Sequence, residues 1–223
     1  MYEGYILISI GFVIFFGFII FRWVSEYFSE KGVLERRLSK ISAGNILTCK
    51  DGDVVKLAGR AMRYQKLLIA PLSKRKCVYY RIIVEKLGNK QNITLIDAEK
   101  GVDFFLSDGS QKALVNTEMV SSYLIPDANY SSGFMKDATD ELENYLKRHS
   151  ESSVSFLGTN HSLRYYEAVI ELDETIVVAG KAKWRTAIEL GLPEESKPVL
   201  CLRKINSDTR LLLSNDPEII NRF

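Results

Sequence analysis

The stretch CVYYRIIVEKL, residues 77–87, decides the fold class of this chain. It is dense in β-branched and aromatic residues, and its polar side chains fall on alternate positions. Positions from Val78 to Val84 taken in steps of two would share one face, and those from Tyr79 to Glu85 the other, more polar one. A period of two is typical of a strand with one buried and one wetter face. The stretch therefore predicts a strand in a half-exposed sheet.

Segments of similar composition lie on both sides of this stretch. Together with it, the predicted strands are 54–62, 77–87, 92–97, 103–106, 112–115, 163–172, 175–184, 199–205 and 210–213. Between them, residues 137–149 place Leu142, Tyr145 and Leu146 on one helical face. A short last helix is predicted after Asp216, because an acidic residue before a proline is a common helix start. The fold class is therefore mainly β with an inserted helix, arranged as an OB-like barrel or a sandwich.

An uncharged apolar run, YILISIGFVIFFGFIIF, occupies residues 5–21. Extended to residue 24, a helix at 1.5 Å per residue would reach roughly 30 Å, the thickness of a bilayer's hydrocarbon layer. One N-terminal transmembrane helix is therefore predicted to precede the β domain, with residues 1–24 as the anchor. A cleaved signal peptide is the alternative, but the chain opens without a basic segment. The side chains expected to contact the membrane are Tyr5, Phe12, Phe16, Phe21 and Trp23.

The charges that flank the run predict its orientation. No Lys or Arg precedes it, whereas Arg22, Lys31, Arg36, Arg37 and Lys40 follow it, which places the C-terminal domain in the cytoplasm. Residues 25–44 are predicted to form an amphipathic juxtamembrane helix and linker. The three cysteines are far apart and odd in number, which argues against a disulfide framework and fits a reducing compartment.

Motifs for catalysis or for cofactors are not found in the sequence. The net charge of +2, from 30 basic and 28 acidic residues, indicates no nucleic-acid binder. The two histidines, His149 and His161, lie at no metal-ligand spacing from a cysteine or carboxylate, and no serine sits in a nucleophile elbow. No glycine-rich phosphate loop is present. We therefore expect no catalytic residue, no metal, no cofactor and no small-molecule substrate.

One stretch, residues 54–84, carries Lys and Arg but no acidic residue. If it faced a leaflet rich in anionic lipid, each cation could add about 1 kcal/mol of attraction. The alternative is a set of ordinary solvated positions on strand faces and on a hairpin tip at 73–76. The candidate contacts to anionic lipid or to a partner are Arg60, Arg63, Lys74, Arg75 and Lys76.

Several short motifs in residues 45–215 together resemble the GIDE domain, also called the beside-a-membrane (BAM) domain. They include APLS at 70–73 with CVYY at 77–80, FFLSDG at 104–109 and RYYEAVI at 164–170. Their order and spacing carry the resemblance more than any one motif. The motif residues are Gly59, Pro71, Cys77, Tyr79, Tyr80, Phe104, Asp108, Arg164, Tyr165, Glu167 and Gly180. Residues 216–223 would then form a helical tail.

The best-known members of this family are mitochondrial membrane E3 ubiquitin ligases, with the domain between two transmembrane helices and a RING after the second. This sequence has no second apolar run, and its cysteines and histidines are too few for the eight or so zinc ligands of a RING. The resemblance therefore implies a short form without ligase activity, similar to prokaryotic members and located in a prokaryotic cell membrane.

We expect a single-pass membrane protein that presents a β-rich interaction or regulatory domain next to the bilayer. Its partner would be a membrane or cytoplasmic protein. The alternatives are a ubiquitin-transferase-like component that depends on another subunit, and a sensor of anionic lipid surfaces.

Overall fold

The structure is a computed structural model in two compact units, residues 1–41 and residues 42–223. The residues that it describes are 15, 17–19, 21–22, 25–88, 90–133, 138–154, 160–193 and 197–222.

The first unit contains helix α1, Glu30–Ser39. The Ser29 hydroxyl caps it by accepting a hydrogen bond from the backbone N–H of Gly32 at 3.1 Å, and Leu34 and Leu38 are buried. Most of the predicted anchor, including Tyr5, Phe12, Phe16 and Trp23, lies outside the described residues, whereas Phe21 is helical and exposed. Within the described part of the chain, no helix combines the length and the apolar character needed to cross a membrane.

The second unit is mainly β, as predicted. Its elements are β1 Val54–Arg63, β2 Leu68–Ile69, β3 Lys76–Cys77, β4 Tyr79–Lys86, β5 Ile93–Gly101, β6 Phe104–Ser107, β7 Lys112–Val115, β8 Val120–Tyr123, β9 Ala128–Ser132, α2 Asp140–Arg148, β10 Leu163–Ile170, β11 Thr175–Arg185, a 3-10 turn Ile188–Leu190, β12 Val199–Arg203, β13 Leu211–Ser214 and α3 Pro217–Ile220.

Strands β1, β6, β7, β12 and β11 close into a barrel, because β11 pairs with β12 and also returns to β1. All neighbours are antiparallel except β7 and β12, which run parallel. The barrel that the strand pattern suggested is confirmed. Its interior is filled by alternate residues of each strand, so that Leu57, Phe104, Leu106, Val178 and Leu200 are only 0 to 4% exposed.

A second, antiparallel sheet has the order β5-β4-β10-β9. Helix α2 covers one face of it and buries Leu142 and Leu146 against Ile82 and Leu163. This is the inserted helix that the sequence predicted. The sheet that it covers is built from two separate insertions into the barrel sequence. Strands β4 and β5 come from the connection between β1 and β6, and strands β9 and β10 come from the connection between β7 and β11.

Five short elements complete the domain. Strands β13 and β8 extend the sheet beyond β11, and the predicted C-terminal helix α3 begins at Asp216, which accepts a hydrogen bond from the backbone N–H of Glu218 at 2.8 Å. Strands β2 and β3 form a small hairpin in which Ile69 lies opposite Lys76 and Leu68 opposite Cys77. We call residues 66–77 the basic hairpin.

Candidate binding site

The basic hairpin is held in place by one buried carboxylate, that of Glu167 on β10. Its two oxygens accept hydrogen bonds from the backbone N–H groups of Leu72 and Ser73, both at 2.8 Å, and the residue is 1% exposed. Two family-motif segments that are far apart in the sequence therefore meet here. Because both of its side-chain oxygens accept a backbone donor, Glu167 fixes the turn of the hairpin.

Arg75 provides the second attachment of the hairpin. Its guanidinium lies 3.1 Å from the Asp127 carboxylate and 3.2 Å from that of Glu171. Asp127 also accepts a hydrogen bond from the backbone N–H of Val169 at 2.8 Å. We call Asp127, Glu167 and Glu171 the carboxylate clamp. Arg75, a predicted contact residue, therefore forms ion pairs within the domain that attach the hairpin to the clamp.

The remaining cations of the hairpin point to solvent. Lys66, Lys74 and Lys76 are exposed, and Ile69 between them is 63% exposed. Lys74 has a left-handed backbone with φ of 61°, and its ammonium donates to the Pro71 carbonyl at 2.8 Å. The hairpin tip predicted at 73–76 is thus present.

The predicted contact residue Arg60 lies in a different place, at a cleft of about 590 Å³ near one end of the barrel. Gly59 and Asp108, both motif residues, line the same cleft, together with Asp173 and Thr175. Backbone N–H groups of Gln111 and Ser110 donate to the Asp108 carboxylate and lower its pKa, so it is ionised at neutral pH. The cleft therefore offers one exposed cation and two carboxylates. We call it the Arg60 cleft.

Gly59 is required by a close approach of two strands. A Cβ atom at this position would lie 2.4 Å from the backbone oxygen of Ser107, far inside van der Waals contact. Gly180 has a similar role, because a Cβ there would lie 2.7 Å from the backbone oxygen of Arg203. Both motif glycines thus allow neighbouring strands of the barrel to pack closely.

The turn between β10 and β11, residues 171–174, connects the two surfaces. Its Glu171 belongs to the clamp, whereas Asp173, with φ of 66°, lines the Arg60 cleft. The Glu174 carboxylate braces the turn by accepting hydrogen bonds from the backbone N–H of Glu171 at 2.9 Å and from the Asn215 amide at 2.8 Å. Burial raises the pKa of Glu174.

The other motif residues are buried or half-buried, and Pro71 and Cys77 among them belong to the basic hairpin itself. Phe104 is buried inside the barrel. Tyr79 is also buried, and this burial, together with the neighbouring Glu99, raises the pKa of the Tyr79 hydroxyl. Tyr165 stacks on Tyr130 with ring centroids 5.3 Å apart.

Two further motif residues are partly exposed. Tyr80 is half-buried beside Cys77, and the guanidinium of Arg164 lies 3.5 Å from the Tyr166 hydroxyl. Arg63, a predicted contact residue, donates to the Gln65 carbonyl at 2.6 Å.

The three cysteine thiols are held in a weakly nucleophilic state. Burial raises the pKa of Cys77 and of Cys201 to about 11, and it also raises that of Cys49. Only the thiolate is a good nucleophile, so little of it is present at neutral pH. Across the described residues, no group of three or more His, Cys, Asp or Glu could hold a metal ion.

The raised pKa of Cys77 predicts a loss of stability in alkali. The folded protein keeps this thiol protonated up to a pH of about 11, whereas the unfolded chain loses the proton near 9.0. Below 9.0 the stabilisation is complete, and it is lost progressively as the pH rises from 9.0 to about 11, by about 3 kcal/mol in total. The measurement is urea unfolding across this window. The variant Cys77→Ala should show a shallower fall, and equal slopes would contradict the prediction.

Sequence reasoning missed the residues that complete both surfaces. Asp127 and Glu171 of the clamp, and Asp173 and Thr175 of the cleft, were not singled out. Asp127 lies between the predicted strand 112–115 and the predicted helix 137–149, where nothing in the sequence distinguishes it from other loop acids. Arg75, with which Asp127 forms an ion pair, is distant in the sequence.

Comparisons with known proteins add nothing to this geometry. No family model, no curated protein and no solved structure matches the chain. Its function must therefore be inferred from the clamp and the cleft.

Proposed function

We propose that this chain is a single-pass membrane protein of the GIDE (BAM) type, whose β domain binds a membrane or cytoplasmic protein at the Arg60 cleft. The apolar run at 5–21 supports the anchor, and the Lys and Arg residues that follow it support a cytoplasmic domain. The contact between Glu167 and the 71–73 segment supports the family assignment, because it joins two motifs of the resemblance. The circular strand order with its single parallel pair supports an OB-like barrel.

One observation carries the binding function. Gly59, Arg60 and Asp108 come from two separate segments and line one open cleft. Arg60 is exposed, and among the described residues its guanidinium makes no side-chain hydrogen bond or ion pair. An arginine in an open cleft is typical of protein interfaces, where its planar group can pair with a carboxylate of the partner. The raised thiol pKa values favour binding over nucleophilic catalysis.

The test places a photo-crosslinking amino acid at Thr175, which is exposed and lines the cleft, in the full chain in its native membranes. We expect a discrete protein adduct that is lost in the variant Arg60→Glu. The matched control carries the crosslinker at Ile188, an equally accessible position that is 66% exposed in the β11–β12 connection. Adducts of equal yield and identity at both positions, or none at Thr175, would overturn the proposal.

The anchor is tested on the same membranes. We expect the chain to stay in the pellet after washing with alkaline carbonate, because a transmembrane helix is not released by charge or by pH. Recovery of the intact chain in the aqueous extract would overturn the membrane anchor.

A further inference from the structure

The outer face of the basic hairpin combines one exposed apolar side chain with lysines that form no ion pair, although the Lys74 ammonium also donates to the Pro71 carbonyl. Ile69 is 63% exposed and lies directly opposite the exposed Lys76. The exposed Lys66 precedes β2, and the exposed Lys74 lies in the turn between β2 and β3. No ion pair involves these three lysines within the part of the chain that the structure describes.

Two other side chains of the hairpin take no part in this face. Leu68 and Cys77 form the opposite, inner face, where they pack with Ala70 and Val169. The charge of Arg75 is balanced by Asp127 and Glu171 behind the turn. The outer face therefore carries an excess of positive charge around a single isoleucine.

The carboxylate clamp keeps this face rigid before any ligand arrives. Glu167 fixes the backbone at Leu72 and Ser73, and Arg75 ties the returning strand to Asp127 and Glu171. A surface that is already ordered loses less conformational entropy on binding than a flexible loop would.

We propose that the outer face of the basic hairpin, formed by Lys66, Ile69, Lys74 and Lys76, binds the headgroups of anionic phospholipids. The lysines pair with the phosphates, and Ile69 enters the boundary between headgroups and acyl chains, as in other peripheral contacts. Lysine suits this position because its long stem lies along apolar surface while the ammonium stays in water. Each lysine near an anionic surface strengthens binding about fivefold.

The inference rests on the proposed membrane anchor, which holds the hairpin near lipid. Residues 25–41 separate the apolar run from the β domain, and even a fully extended chain of this length reaches only about 60 Å. A tether this short gives the hairpin a high effective concentration at the bilayer, so a weak contact is sufficient.

The test uses the full chain reconstituted into phosphatidylcholine vesicles with or without phosphatidylglycerol. A photo-crosslinking amino acid replaces Ile69, and mass spectrometry identifies the adducts. We expect phospholipid adducts that increase with phosphatidylglycerol and decrease in high salt. The double variant Lys74→Glu, Lys76→Glu should lower their yield by about tenfold or more. The control crosslinker at Ile188, where the neighbouring residues include Glu189, should give adducts that do not depend on phosphatidylglycerol.

The outcomes separate this inference from the proposed function. Absence of lipid adducts at position 69 in a chain that stays membrane-bound after carbonate washing overturns the lipid contact alone. Protein adducts without lipid adducts at position 69 in native membranes also overturn it, since the hairpin would then bind a protein. Release of the chain by carbonate overturns the anchor, and with it both proposals.

Discussion

Replacing Glu167 by alanine is expected to lower the free energy of unfolding by about 3 kcal/mol. The substitution leaves the backbone N–H groups of Leu72 and Ser73 without their acceptor in a largely buried place. Hydrogen bonds to a charged group contribute about 1.5 to 3 kcal/mol each, and part of the loss is recovered when water enters. Urea unfolding of the detergent-solubilised full chain measures the difference.

A matched control separates the buried carboxylate from its exposed neighbour. Glu171→Ala removes an ion pair with Arg75 whose carboxylate side chain is 44% exposed. Exposed ion pairs contribute about 1 kcal/mol or less, so the control should remain close to the wild type. Equal losses for Glu167→Ala and Glu171→Ala would show that Glu167 does not fix the hairpin. The conservative variant Glu167→Gln keeps one acceptor oxygen and should fall between the wild type and Glu167→Ala.

The substitution Gly59→Ala is expected to destabilise the barrel by about 3 kcal/mol. Its Cβ atom would lie 2.4 Å from the backbone oxygen of Ser107 and 2.8 Å from the carbonyl carbon, so strands β1 and β6 must move apart. Backbone shifts of this kind cost about 1 to 3 kcal/mol and sometimes more. The same unfolding experiment measures the change.

The neighbouring residue provides the control for Gly59. Ala58 is exposed on the same strand, so Ala58→Ser adds one atom to the surface and should change the stability by less than about 0.5 kcal/mol. A Gly59→Ala variant as stable as Ala58→Ser would mean that β1 and β6 approach less closely than the structure indicates. Any loss of partner crosslinking at Thr175 in Gly59→Ala should then be compared with its loss of stability.

The strands could be predicted from the sequence where alternation is strong. Every predicted strand segment overlaps a strand of the structure, and β1, β4 and β11 are the clearest cases. The four missed strands carry too little signal. Strands β2 and β3 have two residues each, which is too short for a period to show, and β8 and β9 are rich in serine and poor in apolar residues.

Barrel closure and the clamp depend on contacts between distant residues, which periodicity does not report. Strand β1 pairs with β11, so that Arg60 lies opposite Thr175. The sequence marks Glu167 only through its place in the RYYEAVI motif, and neither its burial nor its hydrogen bonds to Leu72 and Ser73 follow from that motif. The charge count of residues 54–84 could not show that Arg75 lies within ion-pair distance of Asp127 and Glu171.

The short turn at 171–174 has a consequence for how this architecture can vary. Because Glu171 and Asp173 belong to different surfaces, lengthening the turn by even one residue would shift both at once. Natural variants of this fold are therefore expected to accommodate insertions in other connections and to keep the length of this one. Divergence of the hairpin and of the cleft should accordingly proceed by side-chain replacement, with the loop between them constant in size.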